Sequence, residues 1–140
     1  MGTTTPLAIF RCDGGPNVGA GHIMRCQALA SRLADHGWQT QFAVTEASAQ
    51  SMKTLMGKSD ILNLGGLPDT PEKIESLIDR QCDLLVIDHY GLAAPYERKC
   101  RDWAKRLLVF DDLANRDHDC DVLTDFTPGR SPNAYSGKVP

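Results

Sequence analysis

Leu84-Leu85-Val86-Ile87 is an unbroken apolar run, preceded by Asp83 and followed at once by Asp88-His89-Tyr90. A strand wetted on one side alternates apolar and polar residues. A solid run marks a strand covered on both faces, as in parallel sheets packed between helices. Further short runs fit the same reading: Leu7 to Phe10, Gln41 to Val44, Ile61 to Leu64, Leu107 to Phe110 and a weaker Val122-Leu123. Helical stripes lie between them. From Gly21 to His36 the apolar residues fall at Ile23, Cys26, Ala30, Leu33 and Ala34, spaced three and four, and Gly37 stops the pattern. Ala47 to Gly57 reads as a second helix with Met52, Leu55 and Met56 on its apolar side. Asp69-Thr70-Pro71-Glu72 opens a third, with a polar cap and Pro where its missing N–H costs nothing. That helix carries Ile74, Leu77 and Ile78. Pro95 to Arg106 is the fourth, with Arg98, Arg101, Lys105 and Arg106 as a solvated basic face. Alternating strands and helices require right-handed crossovers. The expected fold is therefore α/β: a Rossmann-like, three-layer parallel sheet of at least five strands with helices on both faces. The Leu84 to Ile87 strand should be central and fully buried.

A chain of 140 residues fits one domain. With 41% apolar and 24% charged residues, disorder, collagen and coiled coil are excluded. A net charge of -3 argues against nucleic acid as the main partner, since phosphate binding needs a dense basic face. The four-residue apolar run falls far short of the ~20 that a membrane-spanning helix needs. Met-Gly-Thr-Thr-Thr-Pro has neither the basic start nor the apolar core of a signal peptide, and Pro6 breaks a myristoylation motif. Cys12, Cys26, Cys82, Cys100 and Cys120 have no metal-knuckle spacing, so they read as reduced, structural thiols of a cytoplasmic protein. Ser136 to Pro140 finishes no element, so residues 1–140 are expected to be one lobe of a longer protein.

Fourteen Asp against four Glu is a lopsided acid content, and several Asp follow apolar runs: Asp13, Asp88, Asp111 and Asp125. In open parallel sheets ligands bind beyond the carboxyl ends of the strands, so these positions are candidates. The first such loop, Asp13-Gly14-Gly15-Pro16-Asn17-Val18-Gly19-Ala20-Gly21-His22, is glycine-rich and opens a helix, where N–H groups and the dipole favour an anion. It is no P-loop, because Gly-Lys-Ser/Thr does not follow Gly19. It is no dinucleotide fingerprint either, because position 24 is Met. A plain tight turn explains the glycines equally well. His22 falls in the first helical turn, where the dipole disfavours the imidazolium and leaves a base able to take a proton from water. The alternative is a polar residue satisfied by its loop. Asp13 could orient that imidazole or cap the turn. Asp88, His89 and Tyr90 are costly as core filling and could bind ligand, or one could anchor the loop. Asp111 and Asp112 could hold a metal, but no convincing ligand set accompanies them, and neither metal nor cofactor is implied. His118-Asp119-Cys120-Asp121 lies before a strand and reads as turn chemistry.

Four segments together resemble a known family. They are Arg11-Cys12-Asp13, Gly19-Ala20-Gly21-His22-Ile23-Met24-Arg25, Leu84 to Gly91, and Phe110-Asp111-Asp112. They are similar to the UDP-sugar hydrolases of bacterial pseudaminic acid synthesis, which act on UDP-2,4-diacetamido-2,4,6-trideoxy-β-L-altropyranose. Cys120 to Leu123 and Asn133-Ala134-Tyr135 fit as well, so the resemblance runs from Leu7 to near the end. It departs at Cys12, where the family pattern leads to Ser. The resemblance implies the N-terminal lobe of a two-lobed glycosyltransferase-B fold, with most UDP contacts on a C-terminal lobe that this chain lacks. It implies that His22 is the base that activates water and that Tyr90 lies near the sugar. Asp13, Gly19, Gly21, Arg25, Asp88 and His89 go with them as substrate-binding residues. The implied reaction is hydrolysis at the anomeric C1–O bond with inversion. The rival readings are a glycosyltransferase of the same fold and a non-catalytic binding lobe.

Overall fold

A computed structural model of the chain describes residues 4–15, 19–56, 59–66 and 68–140. Six parallel strands form one sheet: β1 (Leu7–Cys12), β2 (Gln39–Val44), β3 (Asp60–Asn63), β4 (Leu84–Asp88), β5 (Leu107–Phe110) and β6 (Val122–Thr124), in the order β3-β2-β1-β4-β5-β6. The helices are α1 (Gly21–Asp35), α2 (Glu46–Met52), α3 (Pro71–Leu77) and α4 (Ala94–Cys100). This is the Rossmann-like α/β arrangement that the apolar runs predict. The sheet separates two cores. Ile23, Cys26 and Ala30 of α1 pack on Ala8, Phe10, Phe42 and Val86. Ile74 of α3 and Tyr96 and Cys100 of α4 pack on Leu7, Ile9, Leu85 and Ile87. Alternate residues of β1 and β4 thus serve opposite layers, which is why both strands lack polar alternation.

Several boundaries differ from the sequence expectation. β1 runs on through Arg11 and Cys12, which pair with Ile87 and Asp88 rather than starting a loop. β4 is central, but Leu84 at its start is half-buried while Leu85, Val86 and Ile87 are buried. α2 stops at Met52 and a 3₁₀ turn, Lys53–Met56, follows, with Leu55 packed on the α1 side; the side chains of Met52 and Met56, and Gly57, lie outside the described residues. In α3 the buried stripe is Pro71 and Ile74, continued by half-buried Ile78 beyond the helix, so Leu77 points outward. The fourth helix ends six residues before Arg106. Its expected continuation is drawn into the sheet: Lys105 N–H donates to Cys82 O at 3.0 Å, and Leu85 N–H to Arg106 O at 2.9 Å. Of the basic face, Arg98 and Arg106 are exposed as expected, and two members are paired. Arg101 pairs with Asp121 at 2.8 Å and Lys105 with Asp83 at 3.0 Å. Asp121 also accepts the Leu107 N–H at 2.8 Å, a bond to the start of β5 rather than within a turn. The turn reading fails for His118 as well: it is buried, with Nδ1 2.7 Å from the buried Glu97, which also accepts the Asp119 N–H. All five cysteines are free and buried. No helix among the described residues is long and apolar enough to cross a membrane.

Candidate functional site

The order of strands reverses between β1 and β4, and there the two crossovers leave in opposite directions. A crevice opens at the carboxyl ends of such a strand pair. Asp13 and Asp88 follow or end these strands, and each gathers its own cluster.

Asp88 is fully buried on the α1 side. Its Oδ1 accepts from His22 Nδ1 at 2.5 Å and from Arg25 Nη2 at 2.5 Å, and Arg25 Nε donates to Oδ2. His22 and Arg25 reach the same carboxylate because positions three apart share a helix face. Burial works against the Asp88 charge, but the bonds from Arg25 and His22 outweigh it and hold its carboxyl below the usual range. A ring nitrogen facing a carboxylate carries a proton, so in the neutral ring Nδ1 is the N–H and the lone pair falls on Nε2. Tyr90 packs edge-on against the imidazole, with centroids 4.6 Å apart, and its hydroxyl donates to Asp112 at 3.1 Å. The guanidinium of Arg25 lies 5.3 Å above Phe110, which contacts the exposed Phe126.

Asp13 does not orient His22; Asp88 does. Asp13 instead accepts from Arg11 at 2.9 Å, Ser48 at 2.8 Å and the Thr45 N–H at 2.9 Å, and lies 3.2 Å from His89 Nε2. Burial opposes its charge, yet the His89 bond and Arg11 keep it ionised far below the usual range. His89 Nδ1 accepts the Gly91 N–H at 2.9 Å, so Nε2 is its N–H and both ring nitrogens are engaged. Of Asp88, His89 and Tyr90, His89 is therefore the loop anchor. A Cβ on Gly91 would press on this ring, meeting His89 Cε1 at 3.0 Å. Arg11 reaches on to Asp69 at 2.6 Å. The sequence offers Arg11 only as part of a motif and Asp69 only as a helix cap; that the fully buried Arg11 gathers Asp13 and Asp69, with Thr45 and Ser48 beside Asp13, is visible only in the structure. The one signal was an arginine at the end of an otherwise apolar strand.

The glycine loop is closed by Gly15 and Gly19, which exchange N–H···O bonds of 3.1 and 2.6 Å; residues 16–18 lie outside the described set. Gly19 sits at φ +84, a conformation that side chains resist, and its N–H is spent on Gly15. The start of α1 has no side-chain cap and no acid in its first turn, and nothing lies within 4 Å of a Cβ placed on Gly21. Among the described residues, no side chain bonds the first N–H groups of α1. Asp111 is taken up by its own loop. It accepts from Ala114 N–H at 3.1 Å, Arg116 at 3.0 Å and Tyr135 at 3.1 Å. Among the described residues no group of three His, Cys, Asp or Glu is placed to hold a metal ion. A hollow of about 500 Å³ lined by Ala34, Asp35 and Thr40 lies at the far end of α1, away from these side chains.

The carboxylates make stability depend on pH. Asp13, Asp83, Asp88, Asp111 and Asp121 are all held below their ordinary value of 3.8, and Asp125, bonded by Thr127, Tyr135 and Arg130 despite burial, falls to about 2. Between the folded and unfolded values the unfolded chain binds more protons, so stability rises with pH there. The contribution is complete above about pH 5 and drains away as pH falls through about 4 towards 2. The urea midpoint should therefore be clearly lower at pH 3 than at pH 6. An equal midpoint at both would mean that these acids titrate alike in the folded and unfolded chain.

No family model matches the chain. It is 26% identical over 144 residues, covering 94% of its length, to UDP-2,4-diacetamido-2,4,6-trideoxy-β-L-altropyranose hydrolase of Campylobacter jejuni. It covers 46% of that protein, so the chain spans less than half the length of the curated relative it matches. A distant relation to a sugar-nucleotide enzyme is what this identity supports.

Proposed function

We propose that the chain forms the base-bearing wall of the crevice of a nucleotide-sugar hydrolase. Its substrate is a UDP-linked diacetamido-trideoxy sugar, and it feeds nonulosonic (pseudaminic) acid synthesis in the cytoplasm. The observation that carries this reading is the Asp88–His22 pair at the uncapped start of α1, with Nε2 left as a lone pair. The likeness to a hydrolase of that substrate supports it. UDP is a good leaving group, so its departure needs little proton donation. Water attacks C1 on the face opposite UDP, its proton passes to Nε2 of His22, and the C1–O bond to the diphosphate breaks with inversion. Such a base contributes typically ~10²–10⁴-fold. Asp88 holds the ring and faces the positive charge that forms on it. The open space at Gly21 and the helix start favour the diphosphate, and Tyr90 bounds the sugar. The rest of the UDP site, on this reading, belongs to a second, C-terminal lobe of a glycosyltransferase-B arrangement.

The test is turnover by the intact natural protein in ¹⁸O-water with no acceptor added. UDP release should continue, with the label on C1 of the free sugar and none on UDP. Label on UDP would mean P–O cleavage. Release only after an acceptor is added would make the protein a glycosyltransferase. No turnover with either would leave a binding lobe.

A further inference from the structure

Arg25 looks at first like a ligand for the substrate's diphosphate: it is a cation at the mouth of the crevice. The contacts say otherwise. Nε and Nη2 both lie on Asp88, and Nη1 is 3.6 Å from Asp112. The guanidinium is stacked over Phe110, and only 26% of the side chain is exposed. Arg25, Asp88 and Asp112 together sum to one negative charge, which offers nothing to an anion.

We propose that Arg25 is a positioning residue: it neutralises Asp88, so that the carboxylate can orient His22 without holding the imidazole in its charged form. This rests on the reading of His22 as the base. A buried carboxylate 2.5 Å from Nδ1 fixes the useful tautomer, but alone it also favours the imidazolium. An imidazolium has no lone pair with which to take a proton from water. An opposite charge within about 4–6 Å shifts a titration by one to three pH units, so a naked Asp88 would spoil the base it aligns. Arg25 shares Oδ1 with His22 and takes Oδ2 as well, leaving the orientation in place and cancelling most of the field. The other groups that face this ring do not substitute for it. Cys26 Sγ is 3.8 Å from Asp88; Cys26 and Cys12 are both buried free thiols, and burial raises Cys26 well above the usual range. Tyr90 is bound to Asp112, and burial together with that bond raises its phenol, so it stays neutral. Beyond β1, His89 and Arg11 are turned to Asp13 instead, with Arg11 also on Asp69.

The experiment follows the His22 ring by long-range ¹H–¹⁵N NMR on the 140-residue chain and on its Arg25→Gln and Arg25→Lys forms. In Arg25→Gln the pH at which the ring is half-charged should rise by about one pH unit, a tenfold gain in proton affinity, with Nδ1 still the protonated nitrogen of the neutral form. Lys restores the charge but not the fork, so Arg25→Lys should return most of the shift. An unchanged or lower midpoint in Arg25→Gln overturns the proposal. The native chain supplies a second test that needs no variant to fold. Added pyrophosphate should leave the Arg25 Nε–H resonance in place; a saturable displacement of it would make Arg25 a phosphate ligand and overturn the proposal as well. These readouts need no turnover. They can succeed although His22 proves dispensable for catalysis, and fail although it proves essential.

Discussion

Replacing His22 with asparagine lowers UDP release from the intact natural protein at least about a hundredfold, with little change in KM. The expectation follows from what asparagine keeps and what it loses. Its amide is close in size and can still donate to Asp88, so the buried carboxylate is not left without that partner. His22 is only 8% exposed, and the loss of ring volume beside Tyr90 is small. What disappears is the basic lone pair. A step that needs a proton taken from water in its transition state then loses that help, while ground-state binding of the nucleotide sugar does not. The measurement is steady-state UDP release at several pH values, with circular dichroism to establish that the variant is folded. Near-normal turnover in a folded variant would remove His22 from the mechanism. His89 would be a poor replacement, because Gly91 and Asp13 engage both of its nitrogens. Asp88 would be no better while two donors hold it.

The contrast between His22 and Arg11 shows what a sequence of this kind makes legible. The sheet was readable because burial on both faces writes solid apolar runs, and Leu85 to Ile87 carry that signature without interruption. His22 was readable because the start of α1 is marked by glycines and by the first residue of a clear helical stripe. Its partner was not. Asp13 is nine residues from His22 in sequence and Asp88 is 66 away, yet the β1–β4 pairing brings the distant acid to the ring and sends the near one to the other face. Local spacing carries no information about which of two strand-end acids a crossover selects. The end of α4 departs from the expectation for a related reason. Helical periodicity continues past the point where the chain is needed by the sheet, and the backbone bonds of Lys105 and Leu85 decide the matter. The structural role of Arg11 is hidden because a charge beside an apolar run reads as the end of a strand, whereas here the strand continues through it.

Arg11 should accordingly be among the most costly residues to remove. It is the largest of the fully buried side chains, and it is bonded to Asp13, Asp69 and the Ala43 carbonyl. Arg11→Met fills much of its volume but strips the counter-charge from two acids whose side chains are only 9% and 17% exposed. Removing one member of a buried pair costs about 3–5 kcal/mol, chiefly because the other charge stays behind without a partner. That is a large share of the ~5–15 kcal/mol that holds a domain together, so the variant should unfold at a markedly lower urea concentration. The triple change Arg11→Met, Asp13→Asn and Asp69→Asn removes the orphaned charges too and should recover much of the loss, since a buried ion pair adds little net stability over neutral groups. Equal destabilisation of the single and triple variants would show that Arg11 acts by packing rather than charge. A single-variant loss below about 1 kcal/mol would show that the acids find water. The consequence reaches the crevice through Asp13 and His89, in a loop that Arg116 also holds at the His89 carbonyl. Asp13 anchors His89, and His89 fixes the loop that carries Tyr90 directly after Asp88. A folded Arg11→Met chain should therefore also lose the edge-on packing of Tyr90 on His22, visible as a change in the His22 ring-proton shifts, although Arg11 itself touches neither residue.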